Sequence, residues 1–283
     1  MSTTPRVFAC VDQSAFAESV TDHAAWAAMR LDAPLELLHV IDRHPETATS
    51  SDRSGAIGPN AQEDLLSQLS SEDEARVRAA REQGRLFLDR LRERALVAGV
   101  AVVDVRQRLG HLDETLHELQ SGARLFVLGR RGDQAAASGL GAQVEAVVRA
   151  LERPILTVPD RFQAPLRALM AFDGSRITRQ GVEMLAQSPL LRGLGIELVM
   201  AGAAEGSGPL DAAVARLQAA GMDASGRVVP GEATQIIPQA LLASGADWLI
   251  MGAYTHSPWR SLLRSSHTSE LLQACRVPAL LLR

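Results

Sequence analysis

The chain repeats itself once, and that repeat restricts the possible folds more than any motif does. Arg6-Val7-Phe8-Ala9-Cys10-Val11-Asp12-Gln13-Ser14 has a counterpart in Arg167-Ala168-Leu169-Met170-Ala171-Phe172-Asp173-Gly174-Ser175. Each is a short apolar run ending in Asp-x-Ser. Further on, Ala123–Gly129 matches Ala246–Gly252, and Arg153–Val158 matches Val277–Leu282. The offset is 161 residues at the first landmark and 123 or 124 at the later two, so the first half carries about 38 residues that the second lacks. The seam is Pro159-Asp160-Arg161-Phe162-Gln163-Ala164-Pro165, a short stretch bracketed by prolines. The expected domains are therefore 1–160 and 165–283.

Within each half, short apolar runs alternate with longer amphipathic stretches. In the first half the runs are Val7–Val11, Pro34–Ile41, Val100–Val105, Leu125–Leu128 and Ile155–Val158; in the second they fall at 168–172, 196–200, 227–229, 247–251 and 279–282. Continuous apolar runs of this length read as strands buried on both faces, hence as parallel sheet. Helical patterns fall between them, at about 15–31, 71–98, 111–121 and 141–151 in the first half. Ser71-Glu72-Asp73-Glu74 reads as a capping box that opens the longest helix. Each half is thus expected to be an α/β domain, Rossmann-like, with a five-stranded parallel sheet, flanking helices and right-handed crossovers. The extra segment, about 43–70, is rich in Ser, Asp, Gly and Pro and reads as a long loop or lid.

Composition removes several function classes. There is no lysine: all 29 basic residues are arginine. Schiff-base chemistry and a phosphate-gripping P-loop lysine are both excluded. A net charge of −4 argues against nucleic acid as a partner. No 18-residue apolar span is present, so no membrane helix is expected. The start, MSTTPRVFACVD, lacks a basic segment followed by an apolar core, which predicts a cytoplasmic location. Cys10 and Cys275 are expected as buried thiols rather than a disulfide. Trp26 is expected to pack a helix on the sheet, Trp248 to lie in the core, and Trp259 to sit in a loop. His111 and His117 are six apart, too far round a helix to share a metal; no metal site is expected.

In an open parallel sheet, ligands bind beyond the carboxyl ends of the strands. The residues at those ends are Asp12, Ser14, Val40, Gly110 and Gly129-Arg130-Arg131-Gly132 in the first half. In the second they are Asp173-Gly174-Ser175, Met200, Gly231 and Gly252-Ala253-Tyr254-Thr255. Gly129, Gly132 and Gly141 would let backbone amides approach an anion at a helix start. The same spacing also suits a plain strand-to-helix turn. Asp12 and Asp173 could accept from a ribose or help place Mg²⁺; with Ser14 and Ser175 they also suit helix N-caps.

These segments carry a resemblance. Ala-Phe-Asp-Gly-Ser at 171–175, Leu38-His39-Val40-Ile41-Asp42 and Val127-Leu128-Gly129-Arg130-Arg131-Gly132 make the chain similar to a tandem universal stress protein, with two family domains over essentially its whole length. Ser54-Gly55-Ala56-Ile57-Gly58 resembles a stretch of proteobacterial tandem members. The resemblance implies adenine nucleotide alpha hydrolase-like domains with strand order 3-2-1-4-5. It implies an ATP (or ADP or AMP) pocket, with Mg²⁺, built from G-x-x-G, nine residues and G-[ST], the Asp after strand one and the end of strand two. It also implies pairing through the fifth strands, here as an intrachain pseudo-dimer, with a homodimer as a further option.

Both halves depart from that pattern. In the first, Gly129, Gly132 and Gly141 are present, but the spacer is eight residues, Ala142 holds the Ser/Thr position, and Gln143 follows. In the second, Thr255 and Ser265 replace glycines, with Ser266 at the hydroxyl position. The first half is the better anion cradle. The leading expectation is a nucleotide-responsive binding and signalling module for stress, not an enzyme, with protein partners the sequence does not identify. The alternatives are a nucleotide-free scaffold and a slow ATPase or self-phosphorylating protein.

Overall fold

The computed structural model describes residues 4–41, 61–130, 142–202, 207–253 and 267–283. Strands and helices alternate along them. The first half runs β1 (Arg6–Cys10), α1 (Ala17–Leu31), β2 (Leu35–Ile41), α2 (Ala61–Val97), β3 (Val103–Leu109), α3 (Leu112–Leu119), β4 (Ala123–Gly129), α4 (Ala142–Ala150) and β5 (Ile155–Val158). The second runs β6 (Arg167–Ala171), α5 (Arg176–Gln187), β7 (Gly195–Ala201), α6 (Gly208–Ala219), β8 (Asp223–Val229), α7 (Ala233–Ser244), β9 (Trp248–Gly252), α8 (His267–Ala274) and β10 (Ala279–Leu282).

All these strands form one ten-stranded sheet, ordered β3-β2-β1-β4-β5-β10-β9-β6-β7-β8. Each half keeps the order 3-2-1-4-5, and every pairing within a half is parallel. The halves meet where β5 and β10 pair antiparallel, with Ile155 opposite Leu281, Leu156 opposite Leu280 and Thr157 opposite Ala279.

Strand parity sorts the apolar residues onto two faces. Val7, Leu35, Leu37, Val127, Leu156, Met170, Leu198, Ile250 and Leu280 face α1, α2, α5 and α6. Phe8, Leu38, Phe126, Ile155, Leu169, Val199, Leu249 and Leu281 face α3, α4, α7 and α8. Both cores run through the seam into the other half. Central strands are therefore apolar at consecutive positions, which is why they read as continuous runs. The outermost strands do not. β3 (Val103-Asp-Val-Arg-Gln-Arg-Leu109) and β8 (Asp223-Ala-Ser-Gly-Arg-Val-Val229) carry charge, as edge strands do. Their apolar runs consequently misplace them: the expected strand at 100–105 lies at 103–109, and the one at 227–229 begins at 223.

The repeat extends to polar contacts. Glu36, buried on β2, is held by Arg6 at 2.6 Å and by Arg106. At the matching place in the second half, Arg227 holds Glu197 at 2.6 Å.

One helix differs from expectation. α2 starts at Ala61, ten residues before Ser71, so the supposed capping box is helix interior and 61–70 is not loop. No Gly or Pro interrupts 61–83, and Glu, Gln, Leu, Ala and Arg dominate it, all good helix formers. The remainder of the expected lid, 43–60, lies outside the described residues, as does Trp259.

On the α1 side, first-half residues reach into the second. The Trp26 and Trp248 rings lie 5.1 Å apart, and Trp248 is fully buried. Arg30 donates to the carbonyls of Leu190, at 3.2 Å, and Arg192. Phe162 of the seam sets its ring edge-on to His23, centroids 4.8 Å apart. His23 is fully buried, and its Nδ1 donates to the Ser19 carbonyl at 2.8 Å. Burial pushes its pKa down to about 4, against the opposing pull of the Ser19 carbonyl and Asp22. The folded state thus refuses a proton that the unfolded chain accepts below pH 6.5. The stability held above pH 6.5 is lost between 6.5 and 4, about 3 kcal/mol from this group. Thermal melts followed by circular dichroism from pH 7 to 4 should show a smaller loss in His23→Leu than in the wild type. Parallel pH profiles would contradict the assignment.

Candidate functional site

The chain leaves β1 toward β2 but leaves β4 toward β5, so the sheet's connectivity reverses between β1 and β4. In open parallel sheets the ligand crevice lies beyond the carboxyl ends of the strands at such a reversal. In the second half the equivalent place lies between β6 and β9. Asp12, Ser14, Val40, Gly129 and Arg130 gather at the first; Asp173, Gly174, Ser175 and Gly252 gather at the second.

The two aspartates are in the same place but held differently. Asp12 is half-buried, and its Oδ1 accepts from the Ser14 hydroxyl and from the Ser14 amide at 3.2 Å. Ser14 Oγ in turn accepts from the Phe16 amide at 3.3 Å, and α1 begins only at Ala17. Ser14 is therefore a turn residue rather than the helix N-cap. Ser175 is the N-cap of α5, its side chain accepting from the Thr178 amide at 3.3 Å. Asp173 Oδ1 accepts from the Ser175 amide at 3.0 Å and from the Thr178 hydroxyl at 2.7 Å. Asp173 is exposed by area, yet its neighbours desolvate the carboxyl and push its pKa up. Hydrogen bonds from Ser175 and Thr178 outweigh this and hold it below the usual value. At the position of Thr178 the first half has Ala17, which donates no hydroxyl.

The second strands require a correction. Val40 packs on the α3–α4 side of the sheet, whereas Met200 packs on the α5–α6 side. The strand registers make Leu35 the equivalent of Ile196, so Val40 corresponds to Ala201 and Met200 to His39. Met200 is one residue out of phase, and a one-residue slip sends a side chain to the opposite face.

The ends of the third strands also differ. Gly110 (φ +138°) and Gly231 (φ +131°) adopt a backbone shape that favours glycine. Among the described residues nothing lies within 4 Å of where a Cβ on Gly110 would be, but on Gly231 it would meet Ile236 at 3.0 Å. Ile236 of α7 fills that corner; its counterpart in α3, Thr115, turns back to the His111 carbonyl at 2.9 Å.

Arg130 reaches across the seam. Its amide donates to the Val158 carbonyl at 3.0 Å, and its guanidinium donates to the carbonyls of Leu272, at 3.1 Å, Cys275 and Val277. These are the carbonyls at and beyond the carboxyl end of α8, where a cation is favoured. The long side chain reaches across the seam, a contact with no trace in local spacing. Arg283 does the converse: it donates to the α4-end carbonyls of Leu151, at 2.7 Å, and Arg149, at 3.0 Å, and to Ala253 at 3.3 Å.

Arg131, Gly132, Gly141, Thr255, Ser265 and Ser266 lie outside the described residues, and Ala142 and Gln143 open α4. Cys275 is a buried thiol, and Cys10, the last residue of β1, is half-buried against the α3–α4 side core; neither forms a disulfide. Burial pushes the Cys10 thiol pKa far up. Among the described residues no cluster of three His, Cys, Asp or Glu could hold a metal, and no helix is long and apolar enough to cross a membrane. The sequence reading missed Thr178, Ala201, Ile236 and Arg283. Applying the offset of 161 residue by residue would have found Ala201, and a threonine three places after a capping serine would have marked Thr178.

Comparison with known proteins agrees with this architecture. The model of the universal stress protein family matches residues 4–159. A universal stress protein of Synechocystis sp. is 30% identical over 98% of this chain and 99% of its own length. The crystal structure of a universal stress protein from Archaeoglobus fulgidus superposes with a TM-score of 0.69 at 14% identity, covering 98% of this chain and 95% of that one. A structure from Pseudomonas aeruginosa, described as a putative universal stress protein, superposes with a TM-score of 0.61 at 16% identity, over 99% and 93% of the two chains. At these identities the structural likeness concerns the fold.

The capping network generates a test. Thr178→Val keeps the shape and removes one donor, so the Asp173 pKa should rise toward its ordinary value in a carboxyl NMR titration. Because the native pKa is lowered, the stability it contributes is lost as pH falls through that pKa; the variant should lose less. An unchanged titration would show that the hydroxyl does not hold the carboxylate.

Proposed function

The chain belongs to the universal stress protein family, and on that premise we propose that its first half binds an adenine nucleotide and that the whole acts as a nucleotide-responsive binding and signalling module in the stress response. The observation that carries the choice of half is the contrast at the strand ends. In the first half, Asp12 is half-buried beside Ser14, with half-buried Val40 and Gly129 at the neighbouring strand ends and, among the described residues, nothing crowding Gly110. In the second, Thr178 ties Asp173 into its own helix cap and Ile236 crowds Gly231.

The described residues fit a nucleotide. Asp12 is placed to accept from ribose hydroxyls, and Val40 and Cys10 give an apolar floor for the base. Phosphates would fall to the amides of the Gly129–Gly132 segment and the start of α4, where free N–H groups favour anions. Mg²⁺ would arrive with the phosphates rather than at a resident protein site.

Binding rather than catalysis is the better reading. His39 lies on the strand beside Asp12, but its Nδ1 is engaged by the Val11 carbonyl at 2.9 Å, on the sheet face away from Val40. It is not placed to activate water at the crevice. The scaffold alternative applies to the second half, whose loop replaces two glycines with Thr255 and Ser265 and whose corner is filled.

Titration calorimetry of the full chain with Mg·ATP, ADP and AMP tests the proposal. At least one should bind with a Kd below about 1 mM. Asp12→Ala should weaken it roughly tenfold, about 1.4 kcal/mol, and Asp173→Ala less than about twofold. Absence of binding by all three, or the reverse ranking of the two variants, would overturn it.

A further inference from the structure

Among the described residues the sheet ends on two open margins, β3 and β8. At β3, Val102 and Gly110 bond toward β2 through Leu35 and Ile41, each at 3.0 Å. Backbone groups alternate sides along a strand, so Val103, Val105 and Gln107 turn theirs to the open side. At β8, Val229 bonds toward β7 through Gly202 at 3.0 Å, so Ala224, Gly226 and Val228 are the open-side residues. A helix side chain caps one open carbonyl on each margin. Arg92 Nε donates to Val103 at 3.1 Å, and Gln218 Nε2 donates to Ala224 at 2.7 Å. The margins differ in apolar exposure. Of the eight large apolar side chains exposed among the described residues, Leu86, Leu96, Val97, Val102 and Val105 belong to α2, to β3 or to the residue before it; none belongs to α6 or β8.

We propose that β3 pairs antiparallel with β3 of a second copy of this chain, about a twofold axis at Arg106. In that register Val105 lies opposite the partner's Gln107, and Gln107 opposite the partner's Val105. Each pair exchanges two N–H···O bonds, all from groups that neither cap occupies. Asp104 stands directly opposite the partner's Arg108, twice over. Both residues are exposed, and directly opposed unlike charges stabilise a sheet. Arg106 meets the partner's Arg106, but each is held by its own buried Glu36. Val103 meets the partner's Leu109, and the Arg92 cap ends the ladder there. The contact is self-complementary, so it closes at two chains. The charges that deter a foreign strand from β3 thus fit a second β3.

β8 fails the same conditions. Facing Asp223 with the partner's Arg227 centres a β8 pair on Ser225 and sets Ala224 against the partner's Gly226, which brings the capped Ala224 carbonyl into the ladder. A β3–β8 pair that opposes Asp104 to the partner's Arg227 and Arg108 to the partner's Asp223 draws in the capped carbonyls of both Val103 and Ala224. That contact is also heterologous and does not close on itself. The pairing of β3 with itself stands apart from the nucleotide reading.

Sedimentation velocity of the full chain at tens of micromolar tests the proposal and should show a dimer. Asp104→Arg alone and Arg108→Asp alone each set like charges opposite one another at both pairs, and each should weaken the dimer roughly tenfold or more. Mixed in equal amounts, the two variants set the arginines of one chain against the aspartates of the other, and the mixture should recover the dimer. Asp223→Arg on β8 should leave the dimer unchanged. Raised salt should weaken the wild-type dimer, because it screens exposed ion pairs. A monomeric wild type overturns the proposal. So does a dimer that survives either reversal, a mixture that stays monomeric, or a wild-type dimer indifferent to salt. Species that grow beyond the dimer with concentration, and that Asp223→Arg abolishes, would overturn it in favour of the β3–β8 contact.

Discussion

The antiparallel pairing of β5 with β10 is the contact on which the rest of the molecule depends. Both strands are four residues long and buried throughout, Ile155-Leu-Thr-Val158 and Ala279-Leu-Leu-Leu282. Left as outer edges they would offer apolar side chains and unpaired backbone to any passing strand. Pairing with each other removes both edges at once and lets the two cores continue from one half to the other. The strands left at the margins, β3 and β8, bear the charges that edges need. The chemistry of each strand thus follows from its distance to the seam.

Arginine has a particular place in this arrangement. Arg30, Arg130 and Arg283 each donate to backbone carbonyls in the opposite half. A lysine ammonium, a compact point charge on a flexible stem, would not match several carbonyls with the same fixed geometry. The absence of lysine first excluded some chemistries; in the folded chain the abundant arginine supplies a stapling device.

The repeat made most strand positions readable, because both halves solve the same burial problem; the strand order followed only from the family resemblance. Where reading failed, the physical cause is identifiable. Strands buried on both faces carry no alternation, so nothing in the β7 sequence declares which face Met200 takes; only the register against β6 does. β3 and β8 lack a continuous apolar run because one flank meets solvent. A capping box is also compatible with helix interior, and α2 runs straight through Ser71. Of the candidate site, the Asp-x-Ser turns and Gly129 stood out in the sequence. The asymmetry between the halves did not, since it rests on Thr178 and Ile236, two ordinary helix residues whose effect depends on what they face.

Two copies of one domain keep one sheet but differ at their strand ends: Ile236 lies against Gly231, and the Thr178 hydroxyl binds Asp173 where the first half has Ala17. Native mass spectrometry of the full chain with saturating Mg·ATP tests this division most directly, because it counts ligands per molecule. The account predicts one nucleotide per chain. Two nucleotides per chain would show that the second crevice is intact, and none would show that neither half binds; either result would contradict it.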